Sequence, residues 1–119
     1  MKKIIIAVTA SFLFVLACGV DNSEKESSNL KFEHVGGQGK MHFVYVDPAQ
    51  HPDRSAYKKI ARKICSDGNV CIVMFWDNKD LAPRSIPMTD EQLNSKVAHY
   101  NVNKNTGLER ILICSEDGC

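Results

Sequence analysis

The sequence predicts a small α+β domain, a mixed β-sheet of about four strands with two helices packed on it in the order β-β-α-β-α-β. Three observations predict it. Two strand-like runs at 30–35 and 41–46 flank the Gly-rich stretch 36–39, apolar residues at Tyr57, Ile60, Ala61 and Ile64 recur with helical period, and 70–76 is an unbroken apolar run. Interleaved strands and helices of these lengths are accommodated most simply by one sheet covered by helices.

In 30–35, Leu30, Phe32 and His34 alternate with Lys31, Glu33 and Val35, and MHFVYV follows at 41–46. Gly36-Gly37-Gln38-Gly39 between them reads as the turn of a hairpin, since it lacks the helix and lysine that a phosphate loop needs. Beyond Pro52 a helix is expected, with Asp53 at its positive start and Lys58, Lys59, Arg62 and Lys63 on its outer face. The stretch 66–69 ends it, with Gly68 free to take the left-handed conformation. VCIVMFW at 70–76 shows no alternation, the pattern of a strand covered on both faces at the centre of a sheet. Asp77-Asn78, Pro83 and Pro87 make 77–87 a long loop. Thr89 and Gln92 fit a capping box, so a second helix is expected from Thr89, burying Leu93, Val97 and Tyr100. The stretch 101–107 terminates it and 108–114 is the last strand.

Domain organisation follows from composition. Lys2 and Lys3 precede an uncharged apolar run at 4–16, which is a signal-peptide pattern and falls short of the roughly 20 residues needed to span a bilayer. Val15-Leu16-Ala17-Cys18 resembles the lipobox of bacterial lipoproteins. That resemblance, confined to the signal segment, implies cleavage after Ala17 and lipidation of Cys18, which then anchors the chain to a membrane. Two or three acyl chains hold stably where one binds reversibly. In a cell with two membranes, Gly19 after the lipidated cysteine implies the outer one. The alternative is an ordinary secreted chain with a cysteine near its cleavage site. Residues 18–29 are polar and Ser- and Glu-containing, a flexible tether reaching roughly 20 Å. The folded domain is 30–119.

Of 15 basic residues, Lys2 and Lys3 leave with the signal segment 1–17, so 13 remain against 14 acidic ones. A net charge of −1 argues against nucleic acid as a partner. With Cys18 assigned to the lipid, Cys65, Cys71, Cys114 and Cys119 remain, an even set in a chain bound for an oxidising compartment. Pairing Cys65 with Cys71 and Cys114 with Cys119 would close two turn-rich segments, while Cys71 with Cys114 is the main rival across strands. Neither spacing is Cys-x-x-Cys and no His pair accompanies them, so a structural role is expected and neither metal nor cofactor is assigned.

No catalytic motif is present, and no residue is assigned a catalytic role. His51-Pro52-Asp53 has the composition of an acid–base pair but reads as the start of a helix, and His99 falls in the last turn of the expected second helix. The segment 77–88 is longer than most connections and carries Arg84, Pro83 and Pro87 after Trp76. It reads either as a rigid recognition surface or as a solvated crossover with Trp76 in the core. Trp76, Asp77, Arg84, His99 and Tyr100 are therefore the candidate binding residues. The expected role is that of a membrane-anchored envelope lipoprotein, a non-enzymatic module binding an envelope protein or surface polymer. The alternative is a small periplasmic hydrolase or transferase using His99 or His51 with a carboxylate from Asp47, Asp53 or Asp77.

Overall fold

The structure, a computed structural model, describes residues 30–119; the signal segment, Cys18 and the tether lie outside them. The domain is α+β, as expected, with a mixed sheet of five strands rather than four. The strands are β1 (Glu33–Gln38), β2 (Met41–Tyr45), β3 (Val70–Trp76), β4 (Ala98–Asn103) and β5 (Leu108–Ile113), and they lie in the sheet in that order. β2 and β3 are parallel and every other pair is antiparallel. The parallel pair requires a crossover, supplied by helix α1 (Arg54–Ile64). The Asp53 carboxylate accepts the Ala56 N–H at 2.8 Å and so starts that helix.

The apolar stripe of α1 dictates what lies beneath it. Tyr57, Ile60 and Ala61 pack on Val44, Val73, Phe75, Ala98, Tyr100 and Val102, one alternating set from β2, β3 and β4, and on Val46 just beyond β2. Tyr57 meets Phe75 edge-on at 4.9 Å between ring centroids. The other set from β2 and β3 points to the opposite face, where Phe43, Met74 and Trp76 are covered by Leu81, Ala82 and Met88. β3 is thus buried on both sides, as its unbroken apolar run predicts.

Two expectations are corrected. The second helix, α2 (Asp90–Asn94), begins with the expected capping box, Gln92 N–H to Thr89 Oγ1 at 3.0 Å and Thr89 N–H to Gln92 Oε1 at 2.9 Å, yet it ends after five residues. From Val97, whose N–H donates to Phe75 O at 2.8 Å, the chain pairs with β3 instead. Leu93, Val97 and Tyr100 match helical spacing, but Ala98, Tyr100 and Val102 match strand alternation equally well. The open side of β3 decides, because its backbone groups would otherwise be buried unpaired. Residues 104–107 are accordingly the turn of a β4–β5 hairpin.

The second correction concerns the glycines. β1 runs on through Gly36 and Gly37 with a bulge between His34 and Gly36, and the turn is confined to Gly39 and Lys40. Gly36 is needed because the backbone of Arg84 crosses it: a Cβ there would lie 2.5 Å from Arg84 Cα. The segment after β3 is therefore clamped across β1 and forms the wall over Phe43 and Trp76.

Cys65 pairs with Cys71 and Cys114 with Cys119, the favoured connectivity. The first bridge ties the end of α1 to β3. The second closes a short terminal helix, α3 (Cys114–Asp117), whose Asp117 accepts the Ile113 N–H at 2.9 Å. Arg54 of α1 donates to Ile111 O at 3.0 Å and pairs with Asp117 and Glu116. The edge of β5 is thus partly capped, which blunts it as a template for further strands.

Candidate functional site

The five candidate binding residues do not share one surface. Trp76 has no exposed area, and its indole N–H donates to Gln92 O at 2.7 Å, so it holds α2 against the second face of the sheet. Tyr100 is 1 % exposed beneath α1, and its hydroxyl donates to Glu109 Oε2 at 2.7 Å. Neither can touch a partner. Their aromatic character is spent on packing, as the core reading of Trp76 allows. Asp77 is exposed beyond β3, where its charge raises the pKa of Tyr57 after burial has done so, and Arg84 is exposed on the 77–88 wall. His99 is half-buried on β4.

The histidine–carboxylate pairs that hydrolysis would use do not form. Asp47 and Asp53 turn their carboxylates to backbone N–H groups of Ala49 and Ala56. His51 is exposed in a left-handed conformation just after the short 3₁₀ turn Pro48–Gln50, so the helix-start reading of His51-Pro52-Asp53 describes the local structure. The ring of His99 meets Lys96, with Nζ 3.0 Å from Nδ1. His34 and His42 pair with each other, ring nitrogens 3.1 Å apart, and the His42 pKa is lowered by burial and by His34. Among the described residues no group of three or more His, Cys, Asp or Glu is placed to hold a metal ion, and no helix is long and apolar enough to cross a membrane.

The sheet itself indicates where a ligand has access. Its second face is walled over β1 to β3 by the segment after β3, but the wall stops short of β4 and β5. There the alternate side chains His99, Asn101 and Asn103 of β4 and Leu108, Arg110 and Leu112 of β5 are only partly buried or exposed. Lys96, His99, Asn101, Arg110, Leu112 and Cys119 line a concavity of about 200 Å³ on this face. Burial lowers the pKa of His99, and the charges of Lys96 and Arg110 lower it further. Burial likewise lowers that of Lys96. The imidazole is consequently neutral near pH 7, with Nδ1 accepting from the Lys96 ammonium and Nε2 left as the donor.

Two larger hollows differ in character. One of about 480 Å³ lies on the α1 side around Arg62, Tyr100 and Glu109, which are bound to one another. Glu109 receives Arg62 Nε at 2.6 Å and the Tyr100 hydroxyl, and its pKa falls to about 2, chiefly through the Arg62 hydrogen bond. The other, about 440 Å³, lies beside Phe32, Tyr45 and Gln50. Sequence reasoning found His99 but missed Lys96, Asn101 and Arg110. The signal was present in the alternation of 98–103 and 108–113, which places 99, 101, 110 and 112 on one face once both stretches are read as strands. Compared with models of protein families, with curated proteins and with solved structures, the chain matches none of them, so its site is defined by this geometry.

Proposed function

We propose that the chain is an envelope lipoprotein anchored through Cys18, and that its domain is a non-enzymatic binding module whose receiving surface is the open β4–β5 face. The observation that carries this reading is the half-built second layer. This sheet face is covered over three strands and left open over the antiparallel pair β4–β5, at a concavity lined by polar donors. The tether at 18–29 would let such a module reach a partner at the membrane surface, in a two-membrane cell the outer membrane. The partner is an envelope protein or a surface polymer.

Site-specific photo-crosslinking in cells tests the surface. A crosslinker replacing Leu108 or Asn103, both on the open face, is expected to capture one recurrent partner, while one replacing Lys63 on the solvent side of α1 is not. Capture that is equal from Lys63, or absent from both open-face positions, refutes the reading. Lipid labelling that persists in Cys18→Ser refutes the anchor.

A further inference from the structure

We propose that the concavity between Lys96, His99 and Arg110 is an oxyanion site, which receives a single carboxylate or phosphate group of the ligand. This rests on the reading of the β4–β5 face as the binding surface and names the chemistry it selects.

Three groups that carry or can carry positive charge line one small hollow, and the Asn101 amide joins them. Arg110 stands opposite Asn101 in the β4–β5 register, and His99 stands opposite Leu112, so Arg110 and His99 are diagonal neighbours on the same face. Lys96 reaches the same point from the turn after α2 and fixes the His99 tautomer, directing the Nε2 donor away from the Lys96 contact. The ensemble therefore offers an ammonium, a guanidinium fork, an imidazole N–H and an amide within one concavity.

No side-chain carboxylate among the described residues pairs with them, and Cys119, which carries the main-chain carboxylate at residue 119, completes the lining. Among the described residues, none of the ion pairs involves Lys96 or Arg110. Asp117 feels the charge of Arg110, but its carboxylate is engaged by Arg54 and by the Ile113 N–H. Those ion pairs involve other cations, Arg54 with Glu116 and Asp117, Arg62 and Lys58 with Glu109, Lys79 with Glu33, and what sets Lys96 and Arg110 apart is that they share one hollow. Gathering like charges in a partly desolvated hollow is unfavourable unless an opposite charge enters it. The volume, about 200 Å³, is below that of cavities that enclose whole drug-sized ligands and suits one charged group projecting from something larger. Leu112 supplies an apolar side to the hollow beside the donors of charge-assisted hydrogen bonds.

The test is a titration of the full chain in detergent with inorganic phosphate, and separately with succinate, at constant ionic strength near neutral pH. The ring signals of its four histidines are followed by NMR after histidine labelling. The His99 signal is expected to move saturably as its neutral Nε2–H donates to the anion, while His51 stays still. Arg110→Gln and Lys96→Gln should each weaken binding about tenfold, the loss of one charge-assisted contact. Tighter binding of succinate would identify a carboxylate ligand, and of phosphate a phosphorylated one. A His99 response that is linear, matches that of His51, or survives both substitutions overturns the proposal. If crosslinking from Leu108 succeeds while the titration fails, the binding face stands and the oxyanion chemistry falls; the reverse result removes the macromolecular partner and keeps the anion site.

Discussion

Replacing Gly36 with alanine tests whether the 77–88 segment is a fixed wall of the domain or a loop free to move. The new Cβ would lie 2.5 Å from both Cα and the carbonyl carbon of Arg84, about an ångström inside ordinary contact. Those atoms are backbone and cannot rotate away. Gly36 does not have a left-handed φ, so alanine adds no strain of its own there and the whole cost is displacement. Moving the wall outward loosens the layer formed by Phe43, Met74, Trp76 and Ala82. Overpacking of this kind costs about 3 kcal/mol, or roughly 15 °C in Tm for a domain of this size. Gly39 is the control, for its φ of +60° strains alanine but nothing lies within 4 Å of the added methyl. Its loss should be about 1 kcal/mol, roughly 5 °C. Trp76 is the single tryptophan and is fully buried on the affected face, so thermal unfolding followed by its fluorescence reads both stability and the wall's position. Equal Tm values for Gly36→Ala and Gly39→Ala, with unshifted native emission, would refute the clamp.

Glu109→Gln should destabilise the domain by about 1–2 kcal/mol at neutral pH, because Arg62 loses its carboxylate and Tyr100 keeps only a weaker acceptor. The pKa of Glu109 is depressed from 4.5 to about 2, so its contribution is whole above about pH 4.5 and lost as pH falls through 2; urea unfolding across this range should bring wild type and variant together at the acid end. Each disulfide closes a short loop worth about 2 kcal/mol, but the Cys65–Cys71 pair is buried, so Cys65→Ser with Cys71→Ser should lower Tm more than Cys114→Ser with Cys119→Ser. Thiol counting on the purified chain should find no free thiol among these four; two would contradict one bridge and four would contradict both. Trp76→Phe should cost about 2 kcal/mol through the lost bond to Gln92 O and the smaller ring, yet leave partner capture from Leu108 unchanged; selective loss of capture at full stability would restore Trp76 as a contact residue.

The elements that could be read from sequence are those whose local signals agree with one another. The stripe of Tyr57, Ile60 and Ala61, the Asp53 cap and the basic outer face all specify α1, and the apolar run 70–76 has no competing period. Thr89 and Gln92 likewise mark the start of α2 correctly. Its length was not legible, because a capping box fixes where a helix begins and says nothing of where it ends. Between 93 and 102 the helical and strand patterns share Tyr100, and the choice is made by the unpaired side of β3, a partner distant in sequence. The glycines at 36 and 37 were ambiguous for the same reason: a hairpin turn and a close backbone crossing both demand glycine, and the crossing backbone, Arg84, lies 48 residues further on.

That single misassignment also hid the site. On a helix ending at residue 100, His99 belongs to a last turn and Lys96 sits one turn behind it, an arrangement that explains both residues as favourable charges at a carbonyl end. On a strand the same His99 joins Asn101 and, across the hairpin, Arg110, while Lys96, one residue past the cap Ser95 of α2, brings its ammonium to the His99 ring. Lys96 and Arg110 thus face one hollow and pair with no side-chain carboxylate among the described residues. The buried aromatics mislead in the opposite sense: Trp76 and Tyr100 resemble interface anchors by type, yet each uses its polar atom inside the domain, on Gln92 O and on Glu109. A tryptophan that hydrogen-bonds to the backbone of the helix covering it is a structural pin, whereas an ammonium and a guanidinium that answer no side-chain carboxylate are groups with unspent binding capacity.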